Sequence, residues 1–397
     1  MTAPPLDGIV VLDVTQIYNG PYATLLLALA GAKVIKVEPL AGENLRGRTN
    51  ADGAGTPFVM LNSCKLGVRL NLKDDRGRDL MLELARRADV LVENFRPGVM
   101  ERLGVGEAAI REVSPNIVYA SGSGFGSTGP YRDYPAMDLT VQAISGVMSI
   151  TGYPDQPPVK AGPALCDFFG GIHLYGAIVT ALFDRERTGR ARTVEASMFE
   201  SVYPSLMSAL GLYYGSGGEA VSRTGNRHSG LAEAPYNAYA ARDGSVTLIC
   251  VSDGHWRQLA EEMGRPELAD DPRFATRRAR VESMEEVDLI VGTWVAAHDK
   301  DDLSSRLRTR GVPCAPVRSL EEVANDPHLI ARGMLHEIDH PEVGRVRIPQ
   351  SPLRLGDDAV VPLRPSPALG EHNREVFGDW LGLDDETLAE LERDGVI

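Results

Sequence analysis

The constraint that narrows the fold most is an alternation of short apolar runs with helical patterns over the first third of the chain. Residues 8–14 (GIVVLDV), 32–38 (AKVIKVE), 68–72 (VRLNL), 89–94 (DVLVEN) and 116–121 (NIVYAS) have strand character. Between them, residues 21–29 and 74–88 place apolar side chains at helical spacing. Strand and helix alternating at this pitch predict an α/β protein, a parallel sheet with helices on its faces. Ligands of such sheets sit beyond the carboxyl ends of the strands.

The rest of the chain changes character. Residues 137–150, 168–183 and 198–214 read as helices, with a short strand at 192–195. Residues 215–230 (GSGGEAVSRTGNRHSG) are polar and glycine-rich, a linker composition. A separate, smaller α+β unit follows, with a strand at 245–251, helices near 253–263, 285–298 and 301–310, and an extended run at 314–319. The tail offers strands at 335–338 and 345–348, a proline-rich extended stretch at 351–367, and helices at 371–381 and 385–393. A chain of 397 residues suits one large and one smaller domain.

The formal charge of −14 argues against a nucleic-acid or membrane-surface binder, because a polyanion would be repelled. An anionic ligand needs a local basic pocket against that background. Cys64, Cys166, Cys250 and Cys314 are scattered with no CxxC pair, so neither a disulfide framework nor a zinc site is indicated, and a reducing cytoplasm is expected. The opening residues lack the basic and apolar pattern of a signal peptide. The nearly uncharged stretch 161–183 suits a buried helix better than a membrane span.

Gly124, Gly126 and Gly129 have GxGxxG spacing, but Pro130 and Pro135 prevent the helix that a dinucleotide loop must open. GxSxG and GxxxxGK[ST] are absent, so hydrolase and P-loop readings have no support. Asp167 is the informative acid, the only formally charged residue between positions 161 and 183. It reads either as a helix N-cap or as a nucleophile. The two roles are compatible, since a helix N-terminus favours the ionised carboxylate that attacks a thioester. Cys166 beside it reads as core. Lys36, Arg46, Lys65, Arg69, Lys73, Arg96 and Arg102 concentrate in the sheet region and could meet phosphates, while Arg185, Arg187, Arg190 and Arg192 complement a helix C-terminus.

Several ordered segments together resemble the class III (CaiB/BaiF) coenzyme A transferases. They are LDGIVVLDVTQIYNGPYATLLLALAGAKVIKVEP (6–39), LVENFRPGVMERLGVG (91–106), MDLTVQAISGVMSITG (137–152), and KAGPALCDFFGG with TGRARTVEASM (within 160–198). RTGNRHSG, GVPCAPV, DPHLIARGM and GEHNREV continue the match in order. The resemblance implies a Rossmann-like large domain from residues 1–214 and 326–397, a small α+β domain at 225–325, and an interlocked homodimer. Interlocking would account for the long connections at 215–230 and around 343–367.

The resemblance also places the catalytic aspartate on Asp167. Its coenzyme A contacts fall on Tyr18, Asn19, Leu70, Asn71, Leu72, Lys73, Asn94, Phe95, Arg96 and Arg102. Lys73, Arg96 and Arg102 become phosphate partners. The substrates implied are an acyl-CoA and a carboxylic acid, with no permanently bound cofactor and no metal. Oxyanion donors are expected near Gly170, Gly171 or the small-domain loop. Two departures weigh against formyl-CoA and oxalate as substrates. Tyr18 stands where that branch has glutamine, with Gln16 two residues away, and residues 251–256 (VSDGHW) hold one glycine where that branch has a glycine-only loop. An α-methylacyl-CoA racemase shares the fold but needs a histidine where this chain has Met137. A non-catalytic coenzyme A-binding protein is the remaining alternative.

Overall fold

A computed structural model describes residues 3–47, 55–219, 223–354 and 361–397. Parts of the two expected connections, 215–230 and around 343–367, therefore lie outside the described residues. The chain forms two compact units. One takes Met1–Val141, Pro163–Val202 and Pro327–Ile397, and the other Gln142–Gly162 and Tyr203–Asp326.

The larger unit is built on six parallel strands, β1 (Val10–Asp13), β2 (Lys33–Glu38), β3 (Leu66–Arg69), β4 (Val90–Glu93), β5 (Val118–Ser123) and β6 (Thr193–Ser197). Their order, β3-β2-β1-β4-β5-β6, is that of the doubly wound dinucleotide-binding folds. Alternate side chains face opposite sides of a sheet. Accordingly Leu12, Ile35, Val68 and Leu91 enter one core with Met81, Leu84, Phe377 and the chain's last residues, Val396 and Ile397. Val11, Val34, Val90 and Val92 enter the other, beneath the helices Asn19–Leu29 and Leu165–Thr188. The Leu165–Thr188 helix is long and apolar enough to cross a membrane, yet it packs against the Asn19–Leu29 helix and strands β5 and β6.

The smaller unit carries the antiparallel sheet β7 (Tyr236–Ala241), β8 (Gly244–Ile249) and β9 (Cys314–Pro316). Its core gathers Trp256, Phe274, Val291 and Leu303. Strand β7 is absent from the sequence expectation because its run, YNAYAA, alternates weakly. Two expected helices are also broken. Gly146, at φ +92°, separates Asp138–Ile144 from Val147–Ile150, and Pro204 falls in a tight turn, Tyr203–Leu206, before Met207–Gly215. The tail residues Arg374–Trp380 form a π-helix.

In the larger unit, β10 (Leu335–His340) pairs antiparallel with β11 (Gly344–Pro349). The run His336–His340 has HExxH spacing. That motif binds zinc from a helix. Here it lies on a strand, with His336 bound to the Gly333 carbonyl and His340 to Ser366, so a zinc peptidase is not indicated.

Buried charge fixes the carboxyl end of the sheet. Lys65 Nζ is fully enclosed and donates to Asp13 Oδ2 (2.9 Å), Thr24 Oγ1 (2.8 Å), Asn62 Oδ1 (2.9 Å) and the Pro21 carbonyl (3.0 Å). Lys36 Nζ, equally buried, donates to the Thr15 carbonyl (3.0 Å) and pairs with Glu43 at 3.5 Å. Burial alone would raise the Asp13 carboxyl, but Lys65, Lys36 and the hydroxyls of Thr15 and Thr24 hold it well below the usual range. Burial brings Lys65 down to about 8 against the pull of Asp13. Arg46 pairs with Glu38 through Nε (2.7 Å) and one Nη (2.8 Å). Lys36, Lys65 and Arg46 are therefore internal braces, not the phosphate ligands their position suggests, because each is committed to a carboxylate of the same unit.

Glu93, 6 % exposed at the end of β4, behaves differently. Burial pushes its carboxyl up to about 7, although it accepts from Phe95 N–H (2.8 Å) and the Ser121 hydroxyl. Two expectations follow. Lys65→Ala leaves Asp13 as an uncompensated buried charge and should destabilise the protein by about 3–5 kcal/mol in urea unfolding. For Glu93, the native state retains a proton that the unfolded chain releases between its ordinary value of 4.5 and about 7, so stability falls as pH rises through that window. Denaturation at pH 4.5 and 7.5 should show wild type losing about 3 kcal/mol more than Glu93→Gln.

Candidate active site

The loop after β1 turns sharply into the Asn19–Leu29 helix, and it does so in a strained conformation. Ile17 adopts φ +68°, an outlier for a β-branched residue. Its N–H donates to Glu43 Oε2 (3.0 Å), which the Lys36 pair holds in place. Gln16 on one side exchanges two bonds with Asn94. Its N–H donates to Asn94 Oδ1 (2.9 Å), and Asn94 Nδ2 donates to its carbonyl (2.8 Å). The ends of β1 and β4 are thus tied together at the lip of the sheet.

Asn19 then packs into a slot made by three glycines. A Cβ on Gly122 would lie 2.4 Å from Asn19 Oδ1, one on Gly170 would lie 2.1 Å from Asn19 Nδ2, and one on Gly171 would lie 2.6 Å from the Asn19 carbonyl. Gly170 and Gly171 are inside the Leu165–Thr188 helix, where their N–H groups close intrahelical bonds. The expectation that they serve as oxyanion donors fails for that reason. Their function is to let two helices approach closely enough for Asn19 Nδ2 to reach the Asp167 carbonyl (3.3 Å).

Asp167 is not the N-cap. That position belongs to Ala164, which offers no side-chain acceptor, and Asp167 sits in the first helical turn, 7 % exposed. The cap comes from Asp138, whose Oδ1 accepts from the N–H groups of Cys166 (2.8 Å) and Asp167 (3.3 Å). Cys166 is fully buried, and its thiol is pushed up to about 12 by burial and by Asp138 and Asp167, which suits a core residue and not a nucleophile.

Asp167 opens on a cleft of about 470 Å³ in the larger unit. Gln16, Ile17, Asn94, Phe95 and Arg96 line it on the β1–β4 side. Phe125, Arg132, Tyr134, Met137 and Met198 line the rest, with Asn19 and Gly122–Gly124 beside the carboxylate. A second cleft of about 520 Å³ is bounded by Leu70, Asn71, Leu72 and Lys73 together with Val37, Pro39 and Leu103. Gln16 and Phe95 border both clefts, so the two lie side by side.

Of the expected coenzyme A contacts, Asn19, Asn94, Phe95 and Arg96 are therefore gathered with Asp167, and Leu70–Lys73 with Phe95 next door. Arg102 lines a smaller recess that also includes Arg96 and Asp133. Tyr18 lines none of these clefts, since its ring stacks on Phe168 at 6.1 Å. Gln16, two residues from Tyr18, borders the cleft. Asp138 and Arg132 were also missed, and only Asp138 had a signal, as the acid beginning a helical pattern. Residues 251–256 do not form a free loop, because Ser252 caps the Asp253–Glu262 helix by accepting from His255 N–H. Met137, 46 % exposed at the cleft, has no proton to shuttle, so the racemase reading finds no support here.

Comparison with known proteins agrees with this arrangement. The model of the CoA-transferase family III matches residues 6–373. Formyl-CoA:oxalate CoA-transferase of Streptomyces coelicolor is 39% identical, with both chains covered over 100% of their length. Succinyl-CoA:mesaconate CoA-transferase of Haloarcula marismortui is 37% identical over 96% of this chain and 98% of its own. The crystal structure of a CaiB/BaiF family protein from Brucella suis superposes with a TM-score of 0.83 at 32% identity, covering 95% of this chain and 100% of that one. A parallel α/β sheet with a near-buried carboxylate lining a cleft, in a chain matched along its length by CoA-transferases, belongs to a CoA-transferase of family III.

Proposed function

We propose that Asp167 transfers coenzyme A from an acyl-CoA to a carboxylic acid by holding it covalently. The carrying observation is a carboxylate, 7 % exposed, lining a cleft that shares Gln16 and Phe95 with the neighbouring Leu70–Lys73 recess. The adenosine end of coenzyme A occupies that recess, and Lys73, Arg96 and Arg102, all exposed, meet its phosphates. The pantetheine arm follows the shared edge to the carboxylate.

An Asp167 oxygen attacks the acyl carbonyl carbon, the C–S bond breaks, and coenzyme A leaves as thiolate from a mixed anhydride. The thiolate attacks the Asp167 carbonyl carbon, releasing the donor acid and leaving an aspartyl-CoA thioester. The acceptor carboxylate attacks that thioester, and the expelled thiolate then takes the acceptor acyl group, which restores Asp167. No net proton is consumed. Dividing the transfer into covalent stages spares one weak carboxylate the direct attack on a distant thioester.

The acceptor is a small dicarboxylate, as oxalate and mesaconate are in the names of the relatives, and Arg132, which also lines the cleft, is the cation for its second carboxylate. The working form is an interlocked homodimer in a reducing cytoplasm. In support, the Met207–Gly215 helix is apolar yet has no buried residue, with Met207 69 % and Tyr214 68 % exposed, as expected of a surface that a second copy covers. The four cysteines are unpaired, as a reducing compartment leaves them.

Intact-mass analysis after incubation with formyl-, acetyl- or succinyl-CoA should show a coenzyme A adduct, mapped by peptide sequencing to Asp167. Asp167→Ala should lose the adduct and about 10³-fold or more of the transfer rate, with its circular dichroism and unfolding midpoint little changed. Substantial turnover by that variant would overturn the reading.

A further inference from the structure

The helix that carries Asp167 begins without a cap of its own. Ala164 stands at the N-cap position with no side-chain acceptor, and the free amides of the first turn are taken by a residue 28 positions upstream of Cys166. Asp138 Oδ1 accepts from Cys166 N–H at 2.8 Å and from Asp167 N–H at 3.3 Å. At the other side of the same residue, the Asp167 carbonyl accepts from Asn19 Nδ2 at 3.3 Å. Asn19 is itself 4 % exposed and confined by Gly122, Gly170 and Gly171.

Both polar groups of the Asp167 main chain are thus held by side chains from outside its helix. An N-cap supplied locally would fix the amide alone. A group that must attack a carbonyl carbon needs its reacting atoms within a few ångströms and in line, and errors of about 1 Å cost on the order of 10²-fold in rate. We infer that Asp138 is a positioning residue for the transfer, which sets the Asp167 carboxylate in the cleft by accepting the first-turn amides of its helix. The bonds to Asp138 also mean that these amides are not the oxyanion donors of the reaction, although a helix N-terminus so close to a carboxylate suggests that role. Asp138 touches neither coenzyme A nor the acyl group in this assignment, and its influence is exerted through Asp167.

The inference rests on Asp167 being the covalent carrier, and the two can fail separately. The measurement is the rate of coenzyme A adduct formation, by rapid quench and intact mass, using acetyl-CoA and succinyl-CoA as probes. Asp167→Ala serves as the control, and coenzyme A affinity is read by calorimetry. Asp138→Asn keeps an acceptor oxygen of the same reach, so its rate should stay within about fivefold of wild type. Asp138→Ala removes the acceptor and should slow adduct formation about 30- to 100-fold while its dissociation constant for coenzyme A stays within about twofold. A general loss of fold would instead weaken coenzyme A binding in step with the rate. The inference is overturned if Asp138→Ala reacts at the wild-type rate, if Asp138→Asn is as slow as Asp138→Ala, or if rate and affinity fall together. If wild type forms no adduct, or Asp167→Ala forms one, the carrier assignment itself is at fault.

Discussion

The enclosed Lys65 ammonium is the interaction on which the rest of the large unit leans. It gathers the carboxyl end of β1, the first turn of the Asn19–Leu29 helix and the end of the Thr56–Asn62 helix at a single point through Asp13, Thr24, the Pro21 carbonyl and Asn62. A charge withdrawn from water is tolerated only when its donors are fully used, and here four acceptors surround three N–H bonds. With Lys36 and Glu43 completing the cluster, the loop at Gln16–Ile17 has no freedom to relax from its positive φ. Local strain of this kind persists only where the surroundings over-determine it.

From that anchored loop, positional certainty passes to the carboxylate by contact. Asn19 is the first residue of its helix, and the small size of Gly170 and Gly171 lets it lie against the Asp167 helix. The slot admits no side chain at either glycine without movement of Asn19. The placement of Asp167 therefore originates in the sheet, reaches it through one asparagine, and is closed from the opposite side by Asp138. Rigid elements supply the site, and no long loop is needed to hold the carboxylate.

Much of this was legible in the chain. The alternation of β-runs and helical runs fixed the sheet class because period-two and helical patterns are set by local geometry. Asp167 stood out as the lone charge in an apolar stretch. What pattern could not convey is the partner of a side chain. Lys36, Lys65 and Arg46 have the spacing of ligand-binding cations, and only the fold reveals Glu43, Asp13 and Glu38 beside them. Gly170 and Gly171 signal close approach as readily as an oxyanion site, and the choice depends on Asn19, some 150 residues away in sequence. The cap from Asp138 is invisible for the same reason, and Gly146 ends a helical pattern that continues through it in sequence.

The wall of the second cleft at Leu70 and Asn71 is held from behind by a different segment. Val396 and Ile397 are buried with Leu70 in one core, and the Val396 carbonyl accepts from Asn71 N–H at 2.8 Å, while Gly395 O accepts from the Asn71 side chain. Residues 395–397 consequently brace Leu70 and Asn71, which border the second cleft. A substitution that loosens this packing would shift the Leu70–Lys73 wall without touching Asp167, which lines the other cleft.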